Sequence, residues 1–362
     1  MKILHVITSL RTGGAEMLVS KLARLTIAAG HEVEIAVLDA TPTPLLHAVR
    51  SAGVRVHELG SGIIDVYNPL NIGRLRELIS EGGYDIVHSH NSSPQIFVPL
   101  AVKDLQDKAP ALVTTEHNTD NRRRHLWPLR KLDCRIYDRY DATVCCSLPV
   151  KCSLLKAYNG QIEPTKVAVI PNGIDLTPFL NIKRSGKKEN FNILMVSAFR
   201  KQKDHYTLLA ALRILDRRHR LTLAGSGSLM SKTRRQAEAL DVADRVTFLG
   251  DVSDIPALYA EADVSVLSTH YEGLSLSSVE AMASGVPLVA TDVTGVTETV
   301  GQGGILVPEN QPKPLAQAIS MLTSSPDYAL EMGRRGREQS MNFDINKTVN
   351  QYINLYKAIS SR

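Results

Sequence analysis

No stretch of this 362-residue sequence approaches the roughly 18 uninterrupted apolar residues of a membrane-spanning helix. The opening MKILHVITSLRTGG has too short an apolar run for a secretory leader and reads as a buried first strand. The chain is therefore expected inside the cell. Cysteine is scarce: the four, at 134, 145, 146 and 152, contain no Cys-x-x-Cys pair, and adjacent Cys145 and Cys146 would point to opposite faces of a strand. That excludes a zinc knuckle and a disulfide framework and fits reduced cytoplasmic thiols. Charge of one sign is missing in bulk, since the net charge is only +5, and nucleic acid is not an implied partner. There is no internal repeat, no low-complexity tract and no Gly-x-Gly-x-x-Gly fingerprint, which argues against a dinucleotide-dependent oxidoreductase.

What is present is alternation. Short apolar runs exchange with helix-length amphipathic stretches throughout, the pattern of βα units around parallel sheets, and the length suits two domains. Strands are expected at 2–8, 31–39, 55–59, 85–90, 111–117, 142–147 and 167–172 in the first half. In the second half they are expected at 191–197, 220–226, 246–250, 263–268, 287–292 and 305–308. The fold class is thus α/β, two Rossmann-like doubly wound sheets in series. The polar, glycine-broken NIKRSGKKEN has linker composition, which puts the boundary near 180, with domains 1–179 and 180–342. The last run, 343–362, carries Val349, Tyr352, Ile353 and Tyr356 at helical spacing, so one face should be buried. In such sheets ligands collect beyond the carboxyl ends of the strands, and two facing domains make a cleft there.

The most informative segment is YEGLSLSSVEAMASGVPLVATDVTGVTET, 271–299, in which Glu272 and Glu280 bracket an expected helix start near Ser275 or Ser277. A helix N-terminus offers unpaired N–H groups and a positive dipole end to a diphosphate. Carboxylates on either side can accept hydrogen bonds from sugar hydroxyls. The same residues also permit a plain reading: Ser277-Ser278-Val279-Glu280 is a capping-box pattern opening an ordinary buried helix. Upstream, SAFRKQKDH (197–205) follows a strand and supplies Arg200 and Lys203, fixed cations suited to a leaving diphosphate. Gly13 and Gly14 open a helix after the first strand and let the backbone approach a ligand. Gly225 follows another strand and can pass near a nucleotide, and Val252, after VTFLG, can border its base. His117, ending ALVTTEH, sits at the expected cleft edge. His88 and His90 are strand-end histidines as well, read as acceptor-side or structural groups.

The strand, glutamate loop, helix and following PLVATD strand closely resemble the glutamate-x7-glutamate signature of the retaining GT-B glycosyltransferases of family four, of the kind that builds bacterial surface polysaccharides. The resemblance extends over essentially the whole chain. It implies the GT-B fold, with the last helix crossing back onto the first domain. It implies transfer of a hexose, with retention, from a nucleoside-diphosphate sugar, more specifically a UDP-sugar, to a saccharide or lipid-linked saccharide acceptor. By resemblance Glu272 grips the transferred sugar and Glu280 the ribose. Lys203 and Arg200, with N–H groups near Leu274 and Ser275, face the diphosphate. The glycine pair lies over the donor phosphates and His117 beside the hexose. The family usually shows glycine-arginine and then lysine five residues on, whereas aligning on Lys203 puts Ala198 where the arginine belongs. Arg200 is then expected to reach the diphosphate from a shifted position. Gly295, in TDVTGVTET, matches a family glycine and is read as a backbone requirement. No Asp-x-Asp triplet occurs, so no metal or other cofactor is expected.

The segment 121–140 carries seven basic and two acidic residues interleaved with apolar ones. Arg122, Arg123, Arg124 and Trp127 make it a candidate for an anionic membrane surface or a lipid-diphosphate acceptor, and equally for a solvated helix on the core. A peripheral site on the inner face of the cell membrane is one expectation. A sugar-nucleotide epimerase of the same architecture is the alternative activity.

Overall fold

The computed structural model describes all residues except 12, 104, 106–108, 118–132, 184–188 and 361–362. Arg122, Arg123, Arg124 and Trp127 therefore lie outside the described residues. The chain forms two compact units, Met1–Gly173 with Ile345–Arg362, and Ile174–Asp344. The division falls after Gly173 rather than near 180. Ile174 pairs with Asp344 in an isolated bridge and is buried in the second core, while Ile345 and Val349 are buried in the first.

The first unit holds a seven-stranded parallel sheet: β1 (Lys2–Ser9), β2 (Glu32–Asp39), β3 (Arg55–Glu58), β4 (Ile86–His90), β5 (Ala111–Glu116), β6 (Ala142–Cys145) and β7 (Val167–Val169). The second holds six: β8 (Phe191–Val196), β9 (His219–Ala224), β10 (Val246–Gly250), β11 (Val264–Leu267), β12 (Leu288–Thr291) and β13 (Ile305–Val307). The strand orders are β3-β2-β1-β4-β5-β6-β7 and β10-β9-β8-β11-β12-β13. Both read as near-continuous buried runs, as strands covered on both faces must. In each sheet the winding reverses beside its first strand. The switch points therefore lie between β1 and β4 and between β8 and β11, where ligands bind at strand ends in open α/β sheets.

The final helix, Ile345–Ser360, buries Val349, Tyr352, Ile353 and Tyr356 in the first unit's core. No disulfide joins any of the four cysteines. Among the described residues no helix is long and apolar enough to cross a membrane.

Candidate functional site

In the second unit the switch point lies between the loop after β8, which carries Arg200 to Lys203, and the loop after β11, which carries Glu272. Backbone bonds zip the two loops together. Lys203 and Thr269 form an antiparallel bridge, the His270 N–H donates to the Gln202 carbonyl at 2.9 Å, and the Asp204 N–H donates to Ser268 at 3.0 Å. Asp204 then caps the helix His205–Ile214 through the Thr207 N–H, which fixes where the loop ends.

This frame brings Lys203 onto Glu272. The Lys203 ammonium donates to Oε1 of Glu272, which also accepts from the Thr269 hydroxyl at 2.9 Å, while Oε2 accepts from the Gln202 amide at 3.0 Å. The two charged side chains are only 13% and 10% exposed, so the pair is shielded enough for its geometry to matter. Arg200 is exposed, its side chain outside this cluster. The Glu272 main chain is held as well: its N–H donates to Thr294 at 3.0 Å, and Gly295, at φ +83°, crosses so closely that a Cβ there would lie 2.0 Å from the Glu272 carbonyl oxygen. That is the backbone requirement expected of Gly295.

Four residues beyond Glu272 a helix begins, Leu276–Ala283. Its cap is Ser275, whose hydroxyl accepts from the Ser278 N–H at 3.3 Å and pairs with the Ser278 hydroxyl at 2.8 Å. The Ser277-to-Glu280 pattern is therefore not the cap, and Glu280 falls in the second turn, half-buried. The helix N-terminus follows directly on the Glu272 loop, with Leu274 and Ser275 at its mouth. The buried Tyr259 hydroxyl donates to the Ser277 carbonyl of the same helix at 2.9 Å.

Gly225 has φ +135°, and a Cβ there would lie 2.2 Å from the Ser197 carbonyl oxygen. The close approach that Gly225 permits is to the loop after β8. Val252 is half-buried after β10.

In the first unit Gly13 caps the helix Gly14–Ala28, and a Cβ on it would meet the Glu16 carboxylate at 2.2 Å. A carboxylate of the chain itself thus stands at that N-terminus. His117, just past β5, is half-buried. Its Nδ1 lies 3.4 Å from the Asn172 amide nitrogen, its Nε2 is buried without a partner, and its ring stacks on His90 at 5.8 Å. Burial pushes it down to about 4, so the ring is neutral at pH 7.

His88 and His90 are fully buried. His88 uses Nδ1 on Tyr356 at 2.7 Å and Nε2 on Thr115 at 2.8 Å, and His90 meets Nδ1 of His5 at 3.1 Å. Of the two readings open for them, these surroundings match the structural one. Their nitrogens come close enough to His5 to suggest a metal trio, but a metal would displace the bonds His88 already makes. Burial first, then neighbouring histidines, holds both rings well below the ordinary histidine value.

Sequence reasoning did not single out Gln202, Thr269, Tyr259 or Asn172. Thr269 closes a strand-like run and Asn172 opens a turn, and strand-end position was the signal that could have marked them. Gln202 and Tyr259 carried none.

Two family descriptions match in series: "Glycosyltransferase Family 4" over residues 12–178 and "Glycosyl transferases group 1" over residues 179–339. The chain belongs to these glycosyltransferases. It is 29% identical to EpsF of Bacillus subtilis, which bears a glycosyltransferase name, over 98% of this chain and 96% of that one. It is 27% identical to glycogen synthase of Mycobacterium tuberculosis over 96% and 91% of the two chains. Anabaena HepE, solved in complex with UDP, superposes with a TM-score of 0.85 at 19% identity over 99% of this chain and 100% of that one. That likeness, with the two parallel-sheet units, establishes the GT-B fold. The epimerase alternative finds no support among these glycosyltransferases.

Proposed function

We propose that this glycosyltransferase moves a hexose, with retention, from a UDP-sugar to a saccharide or lipid-linked saccharide acceptor in polysaccharide or glycolipid assembly. The observation that carries the reading is the Lys203–Glu272 pair, held by Gln202 and Thr269 at the second unit's switch point beside a helix N-terminus. HepE has been solved with UDP and with UDP-glucose, which favours a uridine nucleotide here.

The pair suggests how the chemistry runs. In the free chain Lys203 neutralises Glu272. An arriving diphosphate competes for the ammonium and for the amides near Leu274 and Ser275, while sugar hydroxyls replace the lysine on the carboxylate. Glu272 then holds the hexose, and the cation and helix end face the oxygen that gains charge as the glycosidic bond lengthens. That favours the transition state over the ground state. In the retaining path the departing phosphate oxygen takes the acceptor proton on the same face. Arg200 adds charge from its exposed position, and His117, neutral at pH 7, is assigned to the sugar by resemblance alone. Gly13, Gly14, Gly225 and Val252 are assigned to the donor by resemblance.

The test is a thermal-shift panel of UDP, GDP, ADP and their sugars. A ligand that binds only the folded chain raises the melting temperature, and UDP compounds should give the largest shift. No shift with any of them contradicts the reading. Activity should persist in excess EDTA, and full loss restored by manganese or magnesium would overturn the metal-independent part. Flotation with anionic liposomes, repeated with Arg122, Arg123 and Arg124 neutralised, tests the membrane association; no association in either case refutes it.

A further inference from the structure

Where β11 ends, a side chain stands in for a neighbouring strand. β11 and β12 pair as far as Leu267 and Ala290. Just beyond, the Thr269 N–H donates to the Thr291 hydroxyl at 3.1 Å, and that hydroxyl donates to the Thr269 carbonyl at 2.7 Å. The Leu267 carbonyl, 3.5 Å away, is too far to compete for the one proton. Both threonines are buried, and Thr291 is itself held on its other side by the β12–β13 ladder, where it pairs with Val307.

The N–H and C=O of one extended residue point to one side, and those of its neighbours to the other. Thr269 thus turns its own peptide groups toward β12, while Ser268 and His270 bond to Asp204 and Gln202 in the loop that carries Lys203. The residue at which the two loops of the site meet is therefore anchored to β12 through one hydroxyl. Oε1 of Glu272 lies 2.9 Å from the Thr269 hydroxyl, and the Glu272 N–H donates to Thr294 in the loop after β12. The Glu272 loop is fixed from that side at two places, Thr291 and Thr294. Without the Thr291 hydroxyl, the Thr269 N–H and C=O would be left unpaired in the interior, and the loop would shift to satisfy them. A binding carboxylate has to stay within about 0.5 Å of its productive place, so such a shift is felt by the ligand.

We propose that Thr291 is a positioning residue for sugar recognition: its hydroxyl fixes the Thr269 main chain and, through it, the place of the Glu272 carboxylate. This rests on the reading of Glu272 as the acid that holds the transferred sugar. Thr291 acts through Thr269 and Glu272 and touches no substrate.

Isothermal titration of the full chain with UDP-glucose, GDP-mannose and ADP-glucose identifies the nucleotide sugar that the wild type binds. Thr291→Val keeps the shape of the side chain and loses the hydroxyl; it should bind that compound about tenfold more weakly, the order of one hydrogen bond to a charged group. Thr291→Ser keeps the hydroxyl and should stay within about twofold of wild type. In a Glu272→Ala chain no carboxylate is left to position, and adding Thr291→Val should then cost less than about twofold, since residues that act through one another are not additive. A melting temperature within a few degrees of wild type verifies folding, and if Thr291→Val does not fold, Thr291→Ala takes its place in both comparisons. If the hydroxyl-free variant binds like the wild type, if Thr291→Ser loses as much, or if the loss is as large without Glu272 as with it, the threonine serves the fold alone and the proposal fails. If no nucleotide sugar binds the wild type, or Glu272→Ala binds it equally well, the underlying assignment of Glu272 fails first and the proposal with it.

Discussion

Glu272 shows how a single side chain is made dependable. Its two oxygens take three side-chain donors, from Lys203, Gln202 and Thr269, and its own backbone is clamped at Thr294 and Gly295. Replacing it by alanine should lower turnover of the nucleotide sugar by about 10²- to 10³-fold, the usual loss of a transition-state contact. Gln202→Ala, which leaves the acid but removes one holder, should cost about tenfold with little change in melting temperature. Steady-state rates on the nucleotide sugar that binds check both, and unchanged turnover in Glu272→Ala would remove the residue from the site. Glu272, Lys203 and Ser275 were legible because each sits just after a strand or before a helix, where local spacing reports position. Gln202 and Tyr259 were not. Gln202 meets Glu272 70 residues away, and Tyr259 meets Ser277 across two different helices, so nothing local distinguishes either from a surface or core residue.

At the level of elements, the helix Leu276–Ala283 depends on two small devices with different magnitudes. Ser275→Ala removes the cap and should cost about 1 kcal/mol. Gly295→Ala forces a Cβ to within 2.0 Å of a main-chain oxygen at φ +83°, where the backbone cannot yield cheaply. It should cost more than about 2 kcal/mol and take activity with it, because the displaced atom belongs to Glu272. Urea unfolding of the two variants checks the ranking, and equal losses would mean that the loop relaxes. Element identity was readable from the sequence almost throughout. Each of the thirteen expected strands has its counterpart, with ends displaced by three residues at most, since a parallel strand buried on both faces is a short apolar run bounded by turns. The sequence leaves the helix start open between Ser275 and Ser277, because either serine can serve as a cap and only the fold decides which hydroxyl finds an amide; it is Ser275.

Across the whole molecule, the chain returns on itself, and its last helix completes the core in which it began. Ending the chain after Asp344 would strip Val349, Tyr352, Ile353 and Tyr356 from that core and leave the first unit unable to fold, while the second keeps its own core. Limited proteolysis of the truncated chain should spare only the second unit.

The same core carries an acid sensitivity. His5 is pushed down to about 3 and His117 to about 4, with His88 and His90 well below the ordinary value, all chiefly through burial. Their unfolded values lie near 6.5. Below that pH the unfolded chain takes up protons that the folded chain refuses, so stability is full above about 6.5 and falls as pH drops toward about 4. Each such histidine contributes about 1.4 kcal/mol per pH unit within its window. Calorimetry between pH 7 and 4 should show the first unit's transition falling faster than that of the second, where His205 is likewise lowered to about 4. Parallel shifts of the two transitions would contradict this.

The most direct measurement of the central claim is a crystal structure with bound UDP-glucose. The account predicts the diphosphate at the start of the helix Leu276–Ala283, within hydrogen-bonding reach of the amides near Leu274 and Ser275. Lys203 should have turned from Glu272 to a phosphate oxygen, and the hexose should lie on Glu272. Clear density for the nucleotide sugar elsewhere, with the Lys203–Glu272 pair intact, would contradict it.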